Sequence, residues 1–104
     1  MDKAQVIERV KQYAEALAHE LPVTQVILFG SYVSGQPHED SDIDVAVVLR
    51  DVAVADYLAV LKRLCVLRTP IDPMIEPHLV LENGNNGGFL QEVLCTGEVI
   101  YRAA

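Results

Sequence analysis

The sequence predicts an α/β (α+β) fold: a small mixed β-sheet of three or four strands with helices mainly on one face. Three observations lead there. Two short aliphatic runs, Val26-Ile27-Leu28-Phe29 and Val45-Ala46-Val47-Val48-Leu49, have strand length and β-branched content. Two longer stretches, 2–20 and 51–67, carry apolar residues at helical spacing. The two kinds of segment alternate along the chain, as they do when helices cover a sheet.

The elements follow in order. Residues 2–20 read as an amphipathic helix on Val6, Ile7, Val10, Tyr13, Ala14, Leu17 and Ala18, with Asp2 able to cap its start and Pro22 to stop it. Residues 24–29 form a strand ended by Gly30, and a single helical turn fits 31–35. Residues 36–41 are a polar loop, and 42–50 a second strand. Residues 51–67 form a second helix with a broad stripe of Val54, Tyr57, Leu58, Leu61, Leu64 and Cys65. Its basic end, Lys62, Arg63 and Arg68, suits the helix dipole. Pro70 to Pro77 reads as a short extended segment, its prolines marking an edge strand. Residues 78–88 are a loop rich in Asn and Gly. Residues 89–95 form a short helix with Phe89, Leu90, Val93 and Leu94 inward, closed by Gly97, and 99–101 a terminal strand or tail.

Composition bounds the function. A chain of 104 residues holds one core, so the reading is a single domain, 1–104. A formal net charge of −7 disfavours non-specific nucleic-acid binding. Cys65 and Cys95 lie far apart in apolar helical patterns and read as core thiols of a reducing, cytoplasmic compartment. No leader or membrane-length apolar run is present, so no membrane partner is expected. Spare aliphatic residues in so small a chain point to association with another chain, itself included.

The chemistry concentrates between Gly30 and Asp44. In a strand, alternate side chains share a face, so Asp42 and Asp44 project together while Ile43, Val45 and Val47 point into a core. Adjacent carboxylates repel, and a bound Mg²⁺ holds both ionised. Magnesium takes one or two carboxylates plus substrate phosphates. Gly30 lets backbone approach a ligand, and Ser31 adds a hydroxyl donor, a combination suited to phosphate. The plain alternative is a solvated turn of Asp40, Asp42 and Asp44 leading into a strand. No Walker-type P-loop occurs. His19, His38 and His78 are scattered without metal-ligand spacing; His38 in the loop could meet a phosphate.

Gly30-Ser31, ten residues, then Asp42-x-Asp44, with an apolar strand on either side, resembles the signature of the nucleotidyltransferase superfamily that includes DNA polymerase β. The length resembles its minimal (MNT) members, many of them antitoxins paired with HEPN toxins. The resemblance implies Mg²⁺-dependent transfer of a nucleoside monophosphate, with ATP as donor and a tyrosine of a HEPN-type partner as acceptor. It implies phosphate binding by Gly30 and Ser31 and metal binding by Asp42 and Asp44. It also implies a third acid on the strand after the second helix, where Asp72 is the match for metal binding or proton removal and Glu76 stands in reserve. Two positions depart from the family pattern: Ser34 stands where many relatives carry arginine, and Pro73 directly follows Asp72. Two other readings stay open. One is a non-catalytic antitoxin that masks its partner; the other is a small-molecule nucleotidyltransferase needing a partner helical domain.

Overall fold

The computed structural model describes residues 2–34, 42–84 and 86–103. The expected turn at Gly35 and the loop at 36–41, with His38 and Asp40, lie outside the described residues.

Helix α1 (Lys3–Ala18) begins with a reciprocal cap. The Gln5 amide donates to Asp2 Oδ1 at 2.9 Å, and the Asp2 amide donates to Gln5 Oε1 at 3.2 Å. Each bond satisfies an amide that the first turn leaves unpaired. The helix buries Val6, Val10, Tyr13, Ala14 and Leu17. Strand β1 (Val23–Phe29) follows, then the four-residue helix α2 (Ser31–Ser34), then β2 (Ile43–Leu49). A 3₁₀ turn (Val54–Asp56) leads into α3 (Tyr57–Arg68), which crosses over to β3 (Ile75–Leu81). Helix α4 (Phe89–Thr96) and β4 (Glu98–Arg102) complete the described chain.

The sheet order is β3-β2-β1-β4, with β1 antiparallel to both neighbours and β2 parallel to β3. Strands β1 and β2 are central and covered on both faces, which is why they read as near-continuous apolar runs. On one face α1 and α3 pack over Val26, Leu28, Ile43, Val45, Val47 and Ile75. On the other, Val93, Phe89 and Leu90 of α4 cover Ile27, Ala46 and Val48. Tyr13 ties α1 to α3, its buried hydroxyl donating to Leu64 O at 2.6 Å.

Several boundaries differ from the sequence reading. The second helix starts at Tyr57, and its stripe is not all core: Leu64 is buried, but Val54 and Leu58 are 94% and 65% exposed. That helix is apolar nearly all round, so spacing alone does not say which side faces the sheet. Both cysteines are exposed, correcting their reading as core thiols. Leu94 is also on the outside of α4 rather than facing inward. Strand β3 begins five residues after Pro70 and runs on to Leu81. Pro70 and Pro73 lie in the turn before it. Pro77 sits within it at the sheet edge, where a missing N–H costs no ladder bond.

Candidate active site

The site forms where the end of β1 meets the starts of β2 and β3. Antiparallel pairing sets Phe29 opposite Asp44, so Gly30 follows directly beside that carboxylate. Gly30 has φ +81°, and a Cβ built there would lie 2.5 Å from Asp44 Oδ2. Glycine is required twice over: for the left-handed backbone and for the space. Beside it α2 begins at Ser31, and the Val33 amide donates to Gly30 O at 3.0 Å. A cleft of about 600 Å³ opens at this turn, lined by Phe29, Gly30, Ser31, Val33, Glu92 and Thr96.

Parallel pairing of β2 with β3 sets Glu76 opposite Asp44. Two acids thus stand side by side on adjacent strands, on the α4 face of the sheet, a pairing that costs stability when both are charged. Two residues further along β3, His78 shares that face. Its Nε2 lies 3.4 Å from Asp44 Oδ1. One ligand atom from each of Asp44, Glu76 and His78 falls within 4.8 Å of the others. The His78 ring is held by aromatic neighbours, with centroids 5.2 Å from Phe29 and 6.3 Å from Phe89.

The Glu76 carboxyl is pushed above the ordinary range. Lost hydration is the first cause; the Asp44 and Asp42 carboxylates add to it, and His78 opposes it. A group of acids that raises its own proton affinity is a group in want of a cation, and the residues present fit a divalent metal. Asp42 is exposed, just ahead of β2, on the same strand parity as Asp44 but outside the tight cluster.

Asp72 lies elsewhere. It precedes β3 in the turn after α3 and is 5% exposed. Its Oδ1 accepts the Met74 amide at 2.9 Å, and its Oδ2 is 3.6 Å from Arg9 Nη1 of α1. The expectation that Asp72, Met74 and Glu76 share a strand face is corrected: the strand starts at Ile75, and Asp72 is committed to holding the turn. Glu76, the reserve candidate, is the acid beside Asp44. The sequence reading ends the extended segment at Pro77 and so places His78 in a loop, whereas it lies within β3. The available signal was the parity of Glu76 and His78 across one intervening residue, the same parity that singled out Asp42 and Asp44.

A four-stranded mixed sheet with an acid-bearing central strand, a glycine turn pressed against it and a second acid on the adjoining strand defines a nucleotidyl-transfer scaffold. The chain belongs to the polymerase β nucleotidyltransferase family, whose model matches residues 11–104. It is a nucleotidyltransferase enzyme. A protein of Methanocaldococcus jannaschii, provisionally named a protein adenylyltransferase, is 33% identical over 96 residues, covering 88% of this chain and 94% of that protein. Two solved structures share the fold. A provisionally named nucleotidyltransferase from Sulfolobus solfataricus superposes with a TM-score of 0.68 at 20% identity, over 96% of this chain and 83% of that one. A chain from the complex of tri-AMPylated Shewanella oneidensis HEPN toxin with MNT antitoxin gives 0.55 at 17% identity, over 97% and 73%. Among the described residues no helix is long and apolar enough to cross a membrane.

Proposed function

We propose that this chain transfers AMP from ATP to a hydroxyl of a partner protein, with a tyrosine of a HEPN-type toxin as the acceptor. The observation that carries the reading is the seating of Gly30 against Asp44 with Glu76 alongside. It sets a backbone turn suited to phosphate next to two acids suited to a metal. Asp42, Asp44 and Glu76 would hold Mg²⁺, while Gly30 and Ser31 would hold the phosphates. The bound ion would neutralise charge on the triphosphate. Glu76 has two carboxylate oxygens, so one could hold the ion while the other takes the proton from the acceptor hydroxyl. The acceptor oxygen then bonds the α-phosphorus as the bond to the β-phosphate oxygen breaks and pyrophosphate leaves. Alignment and charge neutralisation supply the rate.

The M. jannaschii relative's name and the AMPylated toxin in the S. oneidensis complex support a protein acceptor. Exposed apolar residues on the outer side of α3 support association with another chain. The test is incubation with α-labelled ATP, Mg²⁺ and the product of the neighbouring gene. Label on that product, abolished by Asp44→Asn, is expected. A tight complex that never takes label would replace this reading with a masking antitoxin.

A further inference from the structure

Magnesium binds hard oxygen donors and keeps several waters. The cluster here contains a nitrogen. His78 Nε2 sits 3.4 Å from Asp44 Oδ1, and the three donors of Asp44, Glu76 and His78 lie within 4.8 Å of one another. Adjacent ligands of an octahedral ion with bonds of about 2.1 Å stand about 3 Å apart. Small side-chain rotations therefore bring these donors onto one ion. The imidazole also has aromatic neighbours on two elements. Phe29 of β1 and Phe89 of α4 lie beside its ring, with centroids 5.2 Å and 6.3 Å away. Strand parity holds its backbone on the acid face.

We propose that His78 is a metal ligand that sets the ion preference of this site, shifting it from Mg²⁺ toward Mn²⁺ and later first-row ions. The proposal rests on the metal-site reading above and deepens it. Imidazole suits first-row transition ions, and affinity for an N/O site rises from Mn²⁺ toward Co²⁺ and beyond. Mg²⁺ gains little from a nitrogen donor. Glu76 has two oxygens, so ligation by one leaves the other facing the acceptor.

The test measures Mn²⁺ and Mg²⁺ affinity by calorimetry on the full chain without nucleotide, for wild type, His78→Gln, His78→Phe and Asp44→Asn. His78→Phe keeps an aromatic ring between Phe29 and Phe89, so it guards against a packing defect in the Gln variant. Removing the nitrogen should weaken Mn²⁺ by about tenfold or more and change Mg²⁺ little in His78→Phe, and should lower the Mn²⁺/Mg²⁺ preference in the same direction in His78→Gln, whose amide oxygen is a hard donor. Pulsed electron paramagnetic resonance of the Mn²⁺-loaded wild type should show coupling to a ¹⁴N nucleus that both variants lose. An unchanged preference with no nitrogen coupling overturns the role of His78, provided Asp44→Asn still abolishes binding of both ions. If the wild type binds neither ion, or Asp44→Asn binds both normally, the metal-site reading itself fails.

Discussion

Gly30 and Asp44 touch across the β1–β2 ladder: the glycine Cα carries its hydrogens where a side chain would fall 2.5 Å from Asp44 Oδ2. The turn proposed for phosphate and the carboxylate proposed for metal are thus parts of one packed unit. Moving either moves the other.

Gly30→Ala should therefore do more than stiffen a turn. The left-handed backbone alone costs an alanine about 1–2 kcal/mol, and the clash adds to it. Melting should fall by roughly 5–15 °C for a domain of this size. Transfer activity should fall about tenfold or more in protein that remains folded, because Asp44 is pushed aside. Thermal denaturation and a labelled-ATP assay on the same sample check both. Normal activity at a lowered melting temperature would separate the turn from the site.

Metal addition should stabilise the protein. Asp44 and Glu76 face each other across adjacent strands, and a bound cation relieves their repulsion. Mn²⁺ or Mg²⁺ at about 100 times its dissociation constant should add about 2.7 kcal/mol. Chelation should reverse the gain, and Asp44→Asn should abolish it. The same substitution should leave the metal-free protein as stable as wild type or more so, since it removes one of two opposed charges. Differential scanning calorimetry with and without chelator reads these effects.

Asp72 and Glu76 should fail in opposite ways. Asp72→Ala removes the acceptor for the Met74 amide and the partner of Arg9, at a cost of about 1–3 kcal/mol, with metal affinity nearly unchanged. Glu76→Gln should weaken metal binding while costing no stability, because it removes a carboxyl its surroundings already disfavour. Urea denaturation paired with metal titration distinguishes the two. A loss of metal binding in Asp72→Ala protein that is still folded would restore Asp72 to the site.

Tyr13→Phe tests the joint between α1 and α3. It removes the side-chain donor to Leu64 O, at a cost of about 1–2 kcal/mol. Burial pushes the Tyr13 phenol well above its ordinary value of 10.0. The folded state therefore keeps the proton more tightly than the unfolded state. This contribution is complete below pH about 10 and is lost progressively as pH rises above it. The wild type should lose stability above that pH more steeply than Tyr13→Phe, as followed by circular dichroism.

Much of this was legible without coordinates. The aliphatic runs marked β1 and β2 because central strands covered on both faces are apolar at most positions. Asp2 as a cap, and the spacing of Val6, Val10, Tyr13 and Leu17, marked α1. Parity set Asp44 apart from Ile43 and Val45, while Asp42 lies one residue ahead of β2. Less legible was α3, apolar on several sides, whose buried and exposed residues look alike in sequence. The start of β3 was obscured by three prolines, which bound a turn and sit on an edge strand equally well.

The sequence by itself determined the two central strands, the first helix, the glycine-serine turn and an acid, Asp44, near the head of the second strand. Those are local matters, set by side-chain size, period and backbone freedom within a few residues. Which groups stand beside Asp44 was decided only by tertiary structure. The parallel register of β2 on β3 brings Glu76 and His78 to Asp44 and leaves Asp72 to Arg9 and the Met74 amide. Register between strands more than thirty residues apart depends on how both pack beneath α1 and α3, and no local pattern encodes that.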